Sequence, residues 1–340
     1  VAPRGDSALE DIGRAVGRTP LVRLARVTRG LRSTVLAKCE FLNPTGSVKD
    51  RIALSMVEDA ERRGVLRPGG TIVEATSGNT GLALASVGAS RGYRVLCTLP
   101  DKMSREKVRL LRAFGAEVVI TPTVEHDHPE YYGTVARRIA SERPDAWFAD
   151  QFHNPANPDA HERSTGPELW EQTGGRIDAF VSGMGTGGTI TGVGRALKAR
   201  RRDVRVVGAD PEGSTYCSAI VRGRPAERTW SYRTEGIGGS CVPGTLDVSV
   251  VDDCHAVSDR EAFLAARWLA RAEGICCGGS TGTALVGALR EARALPPGST
   301  VVVVFADPGE RYLGKAYDDA WMEEMGYGTG LPDVAKEVGG

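Results

Sequence analysis

Short apolar runs, most of them closed by glycine, serine or threonine, recur along the chain. They occupy residues 71–75 (TIVEA), 94–99 (RVLCTL), 117–121 (EVVIT), 179–184 (AFVSGM), 204–210 (VRVVGAD) and 301–307 (VVVVFAD). Most are apolar throughout rather than alternating, which predicts strands covered on both faces, as in parallel sheets. Helical patterning fills the gaps over residues 49–63, 79–90, 104–114, 260–273 and 281–294, and a further helix (ITGVGRALKA) follows the run at 179–184. Strand–helix alternation of this kind predicts an α/β fold with mostly parallel sheets and right-handed crossovers. No repeat or low-complexity linker interrupts it. The glycine-rich stretch after Tyr327 predicts a loose tail over 328–340.

At 340 residues the chain is about twice a typical domain, so one large or two intimate domains are expected. Hydrophobic residues make up 41% and charged residues 25%, the balance of a globular protein with a sizeable core. The 43 Lys and Arg are matched by 43 Asp and Glu, so no net positive charge draws the chain to nucleic acid or anionic lipid. No apolar run reaches about 18 residues and no secretory segment opens the chain, so no membrane association is expected. Val1 in place of Met points to first residues that are missing or processed. Seven scattered cysteines without a CxxC pair read as reduced core thiols of a cytoplasmic protein, Cys276 and Cys277 among them. His126, His128, His153, His161 and His255 have no metal-ligand spacing and read as solvated loop residues, so no metal is expected.

In parallel sheets, ligands gather where strands lead into helix N-termini. Three loops there carry chemistry. In NPTGSVKDR (residues 43–51), Thr45 and Ser47 are suitable caps, and Lys49 falls in the first helical turn. The helix dipole disfavours a cation there and should depress the lysine pKa, as Schiff-base and proton-transfer chemistry require. An ordinary surface lysine is the plain alternative. In TSGNTG (residues 76–81), the hydroxyls, amide and backbone N–H groups of Thr76, Ser77, Gly78, Asn79 and Thr80 would form a pocket for a carboxylate, a turn that only caps its helix being the plain alternative. The third loop, GMGTGGT (residues 183–189), lets successive N–H groups converge on a phosphate. It lacks the Lys of a triphosphate-binding loop. It does satisfy GxGxxG, with Asp210 closing the next strand, so an NAD-dependent dehydrogenase is the rival of another class. A phosphate site, a carboxylate pocket and an activated lysine together point instead to pyridoxal 5'-phosphate with an amino-acid substrate.

PTGSVKDRI, TSGNTG, QFHNPANPDAH, GTGGTITGVGR, GADPEGS and EGIG, in this order and spacing, resemble the cystathionine β-synthase and cysteine synthase family. These are fold-type II, tryptophan synthase β-like enzymes of pyridoxal phosphate. The resemblance runs from about Gly17 to Trp321 and implies two domains, each with a mostly parallel sheet flanked by helices. It implies Lys49 as the Schiff-base lysine, Asn79 as the partner of the cofactor's ring oxygen, and Gly185, Thr186, Gly187, Gly188 and Thr189 as the phosphate cradle. Thr76, Ser77, Gly78, Thr80 and Gln151 would hold the substrate carboxylate, with Glu235 also facing substrate. The implied reaction is β-replacement on L-serine or an O-activated serine through an aminoacrylate, with a thiol as nucleophile. A non-thiol nucleophile, a serine or threonine dehydratase and a catalytically silent paralogue are the alternatives.

EGIG, ADPEGS and the ending AYDDAWMEEMGY resemble the cystathionine-forming branch more than the plain cysteine synthases. Three features depart from it. Relatives follow EGIG with Tyr-Asp, whereas Gly239 and Ser240 stand here; a lost ring should open the site and change the nucleophile. Relatives place Ser beside the pyridine nitrogen, whereas Pro308 stands here, leaving the nitrogen to water or unpaired unless Asp307 turns toward it. Neither the haem-ligating segment nor the regulatory domains of some relatives are expected. The expected division is a smaller domain of residues 47–150 with Lys49 and the carboxylate loop, and a larger one of 1–46 and 151–327 with the phosphate loop. The site is expected between them, and a cytoplasmic homodimer is implied by resemblance.

Overall fold

The structure, a computed structural model, describes residues 8–330 except Ser77, Lys102, Ser104, Glu125 and His126, with Arg105 and Glu106 described by their backbone alone. Ser104, expected to cap a helix, and residues 331–340 of the expected tail therefore lie outside the described residues. The chain forms two compact units, Val1–Gly17 with Asn43–Asp150 and Arg18–Leu42 with Gln151–Gly340. Of the 46 residues expected in the larger domain, only 18–42 group with 151–340; residues 8–17 and 43–46 group with the first unit.

Ten strands are present among the described residues: β1 (Leu21–Arg23), β2 (Thr34–Cys39), β3 (Thr71–Ala75), β4 (Arg94–Pro100), β5 (Glu117–Thr121), β6 (Ala146–Phe148), β7 (Ala179–Gly183), β8 (Arg205–Pro211), β9 (Asp253–Val257) and β10 (Thr300–Phe305). In the first unit they make an all-parallel sheet in the order β5-β4-β3-β6. In the second the order is β1-β2-β10-β7-β8-β9, parallel except for β1 on the edge. Strands β3, β4, β5, β7, β8 and β10 are the ones the apolar runs predict. Val301, Val302, Val303 and Phe305 of β10 are fully buried, as are Ile72 and Val73 of β3. Each such side chain contributes about 1.5–3 kcal/mol relative to exposure.

Helices cover both faces. Helix Gly279–Ala294 packs Ala284, Leu285, Val286, Ala288 and Leu289 into the same core as Val181, Val207 and Val303. On the opposite face, helix Gly188–Lys198 adds Ile190, Val193 and Leu197 to the core of Phe180, Val206 and Val302. Helix Asp259–Glu273 begins with a full capping box, Ser258 and Glu261 each bonding the other's backbone N–H. Strand β2 was not expected because Lys38 breaks its apolar pattern. Lys38 is nevertheless fully buried, its ammonium donating to Thr19 O (2.8 Å), Glu168 Oε2 (2.8 Å) and Gln172 Oε1 (2.9 Å). No described helix is long and apolar enough to cross a membrane.

One expectation about the cysteines is corrected: Cys217 and Cys254 form a disulfide. They lie 37 positions apart, and β8–β9 pairing beside a short helix is what brings them together. Cys39, Cys97 and Cys277 are buried free thiols whose pKa values burial pushes up, that of Cys39 to about 11.

Candidate active site

In the first unit, Lys49 is the opening residue of helix Lys49–Arg62 and is half-buried. Val48, not Thr45 or Ser47, occupies the cap position and provides no side-chain cap. Ser47 Oγ accepts the Lys49 N–H at 3.3 Å. The Thr45 hydroxyl and N–H both donate to Asp50, the N–H at 2.7 Å, so the loop before Lys49 is braced by a buried carboxylate of its own helix.

The carboxylate loop follows β3 and leads into helix Asn79–Arg91. Its N-cap, Gly78, has φ +147° and offers no side-chain cap. The turn is held by Thr76, whose Oγ1 accepts the Gly78 N–H at 3.0 Å. Thr76 and Thr80 are buried and Asn79 is half-buried; Ser77 lies outside the described residues. The sequence reading missed Lys107 here. It is 7% exposed, and its Cδ would stand 3.1 Å from a Cβ on Gly78. Its place in an ordinary charged helix pattern carries no local signal.

In the second unit, β7 runs into the glycine loop and helix Gly188–Lys198. The N-cap Gly187 adopts φ +79° and again caps with no side chain. The loop has no room for side chains: a Cβ on Gly185 would meet Gly236 O at 2.5 Å, on Gly187 Leu246 Cβ at 2.4 Å, and on Gly188 Asn157 Oδ1 at 1.9 Å. An eleven-residue helix opening on such a backbone cradle fits a phosphate dianion. Thr186 is set from two sides. Its Oγ1 accepts from Asn157 Nδ2 at 2.9 Å, and its carbonyl accepts from Thr245 Oγ1 at 2.6 Å. Asn157 Nδ2 also donates to Gln151 O at 2.7 Å, so Gln151 and Thr186 are joined through one buried amide.

His161 corrects the reading of the histidines as solvated loop residues, since it is 1% exposed. It lies on a π-helical turn, His161–Thr165, between helices Ala156–Ala160 and Gly166–Gln172. Its Nε2 is 3.2 Å from Thr189 Oγ1 and its Nδ1 2.9 Å from Thr165 Oγ1. Glu235 accepts from Lys315 Nζ at 2.6 Å, and the turn after it is tied to the loop by Gly238 N–H donating to Met184 O at 2.7 Å.

Two departures from the family pattern now have a physical setting. A Cβ on Gly239 would stand 2.4 Å from Tyr216 Oη, so the room expected there is filled by Tyr216, whose hydroxyl donates to Gly185 O at 3.0 Å. Asp307 is buried, and its Oδ2 accepts from Tyr312 Oη at 2.7 Å. Asp210, which a dinucleotide site would aim at a ribose, is buried and accepts the Cys217 N–H at 3.1 Å.

The profile of the pyridoxal-phosphate dependent enzymes matches residues 12–307. The chain is 44% identical to rat cystathionine beta-synthase (Rattus norvegicus) over 96% of its own length and 58% of the relative's. It thus spans a little under three fifths of that longer protein. It is 44% identical to cysteine synthase 1 of Emericella nidulans over 94% of this chain and 87% of that one. Among solved structures it is similar to an O-ureido-L-serine synthase (TM-score 0.83, 40% identity, 93% of this chain and all of the other). It is also similar to the cysteine synthase of Entamoeba histolytica (TM-score 0.83, 35% identity, 92% and 91%). With the glycine cradle, the lysine at its helix start and a profile covering most of its length, the chain belongs to the pyridoxal-phosphate dependent enzymes.

Proposed function

We propose that the protein catalyses β-replacement on L-serine or an O-activated serine, exchanging the β-substituent for a thiol nucleophile. The observation that carries this reading is that the chain has two helix starts with a glycine N-cap, at Gly78 and Gly187, and a lysine at a third. A carboxylate, a phosphate and a carbonyl group need those three features. The similarity to cystathionine and cysteine synthases supports the same reading.

Pyridoxal phosphate, when bound, supplies the electron sink that makes the substrate's α-proton acidic. Thr76, Ser77, Gly78, Thr80 and Gln151 would hold the amino acid's carboxylate, which fixes the Cα–H for removal. The Lys49 amine takes that proton and returns it after the nucleophile has joined Cβ, general-base work typically worth about 10²–10⁴-fold. Asn79 would bond the ring oxygen, and residues 185–189 would anchor the phosphate through backbone N–H groups and the hydroxyls of Thr186 and Thr189. Glu235, which accepts from Lys315, would orient the incoming group's polar end.

A non-thiol nucleophile is the second reading. It is favoured by the likeness to O-ureido-L-serine synthase over nearly all of both chains. Purified enzyme is given serine, O-acetylserine or O-phosphoserine with sulfide, homocysteine, small amines or a ureido-bearing hydroxyl compound, and products are identified by mass. A thioether or cysteine product supports the first reading, and an oxygen- or nitrogen-linked product the second. Pyruvate alone from every mixture would defeat both in favour of a dehydratase. A cytoplasmic homodimer with small-molecule substrates accompanies this proposal; light scattering on the purified protein tests the dimer.

A further inference from the structure

The Cys217–Cys254 disulfide is not part of the machinery assigned above. Cys217 lines a cavity of about 540 Å³, within the size range of small-molecule sites. Arg222, Arg224 and Arg228 line it too, against a single carboxylate, Glu227, 3.4 Å from Arg224. Trp230, 62% exposed, adds an aromatic face. Such a balance of charge raises the local concentration of anions. Beside the sulfurs is Asp210, 1% exposed. One of its oxygens accepts the Cys217 N–H, and the other, Oδ1, has no hydrogen-bond partner. A carboxylate oxygen of Asp210 and both sulfurs lie within 4.8 Å of one another.

We propose that this cavity binds a small thiol bearing carboxylates, which opens the Cys217–Cys254 bond by thiol–disulfide exchange, the small disulfide so formed remaking the bond by the reverse exchange, and that the state of the bond reaches the glycine loop through Tyr216. The thiolate attacks Cys217 Sγ, forming a mixed disulfide and expelling Cys254 as a thiolate. Asp210 is positioned to give that thiolate a proton. Burial lifts its pKa to about 7, so near neutral pH a substantial fraction carries one. A second thiolate attacks the small thiol's own sulfur in the mixed disulfide and frees Cys217. In sum, two small thiols become one disulfide while the protein's disulfide gains two electrons and two protons. Disulfides in reducing compartments are chiefly of this redox-active kind.

Transmission rests on the reading of Gly185 as part of the phosphate cradle; the exchange does not. Ser214 Oγ accepts the Gly239 N–H (3.0 Å), Thr215 N–H donates to Gly239 O (2.9 Å) and Tyr216 Oη donates to Gly185 O (3.0 Å). The disulfide ties this segment, one residue on, to β9.

The test uses mercaptosuccinate, 2-mercaptoethanol and cysteamine, which carry two negative charges, none and one positive charge beside the thiol. Each rate of exchange is divided by the same thiol's rate on the chain unfolded in urea, which cancels intrinsic reactivity. Mercaptosuccinate should lead 2-mercaptoethanol by about tenfold, the low end of electrostatic enrichment. Cysteamine should trail, and peptide mapping should find the mixed disulfide on Cys217. The combined Arg222→Gln, Arg224→Gln and Arg228→Gln variant should flatten the order. Equal normalised rates for the three thiols, or the adduct on Cys254, would overturn the site. For transmission, pyridoxal phosphate is titrated by fluorescence into the oxidised protein and into the Cys217→Ser/Cys254→Ser variant. The variant should bind severalfold more weakly, and Tyr216→Phe should remove the difference. Equal affinity overturns the link to the loop, whereas a failure of β-replacement leaves the exchange result standing.

Discussion

Gly188→Ala isolates what the glycine cradle requires. Gly188 does not have a positive φ, so alanine meets no backbone strain there, and the cost is steric alone. The new Cβ would fall 1.9 Å from Asn157 Oδ1 and 2.5 Å from Asn157 Cγ, which forces the carboxamide aside. That amide is fully buried and is a donor to both Gln151 O and Thr186 Oγ1. Forcing a well-packed group aside costs about 1–3 kcal/mol and each lost bond about 0.5–1.5 kcal/mol, although Thr186 Oγ1 keeps the Gly188 N–H at 3.3 Å. The higher helix propensity of alanine returns at most about 1 kcal/mol. A net loss of about 3 kcal/mol should lower the melting temperature by roughly 6–12 °C in a unit of this size. The assay is a thermal melt followed by cofactor titration, with a double-mutant cycle on Asn157→Ala. Asn157→Ala removes the obstacle and the donor together, so Gly188→Ala should then cost almost nothing further, a coupling of about 2–3 kcal/mol. If Gly188→Ala costs the same with and without Asn157, the clash is not the cause and the reasoning fails.

Lys49→Ala should lower turnover by more than the roughly 10²–10⁴-fold of general-base work, because the covalent role is lost with it. Borohydride reduction of the parent holoenzyme should label the peptide containing Lys49, and a label elsewhere would show the wrong lysine was chosen. Lys38→Met should destabilise the protein by about 3–5 kcal/mol in urea titrations, since Glu168 loses its buried partner and Thr19 O a donor. A change within about 0.5 kcal/mol, the ordinary scatter of surface substitutions, would contradict that. Asp210→Asn tests the raised carboxyl. With a folded pKa of about 7 against an ordinary 3.8, the folded chain holds the proton more tightly, so the parent loses stability as pH rises through that window. The variant should therefore gain on the parent between pH 4 and 7, by at most about 4 kcal/mol; parallel melting curves across that range would refute it.

Much of the architecture is local enough to be read from the chain. Six apolar runs matched strands, and all but the edge strand β5 did so because parallel strands buried on both faces cannot hide in an alternating pattern; VVVVF at β10 is the plainest case. The strands that escaped, β1, β2, β6 and β9, are short, lie on edges or carry polar residues: Lys38 breaks β2, and Asp253 and His255 break β9. The glycine, lysine and threonine loops were legible as helix starts because small residues and turn formers cluster there.

Sequence alone thus determined the fold class and the family, and it marked three loops as helix entries, since each depends on residues within a few positions of one another. Only the folded chain decided that Asn157 joins Gln151 to Thr186, that His161 is buried against Thr189, and that Tyr216 fills the place at Gly239. The same holds for the Cys217–Cys254 bond and for the division of the first 46 residues between two units. Apart from Gln151 and Asn157, six positions from each other, these are meetings of residues roughly 20 to over 100 positions apart. Strand order and helix packing set such distances, and nothing in local composition encodes them.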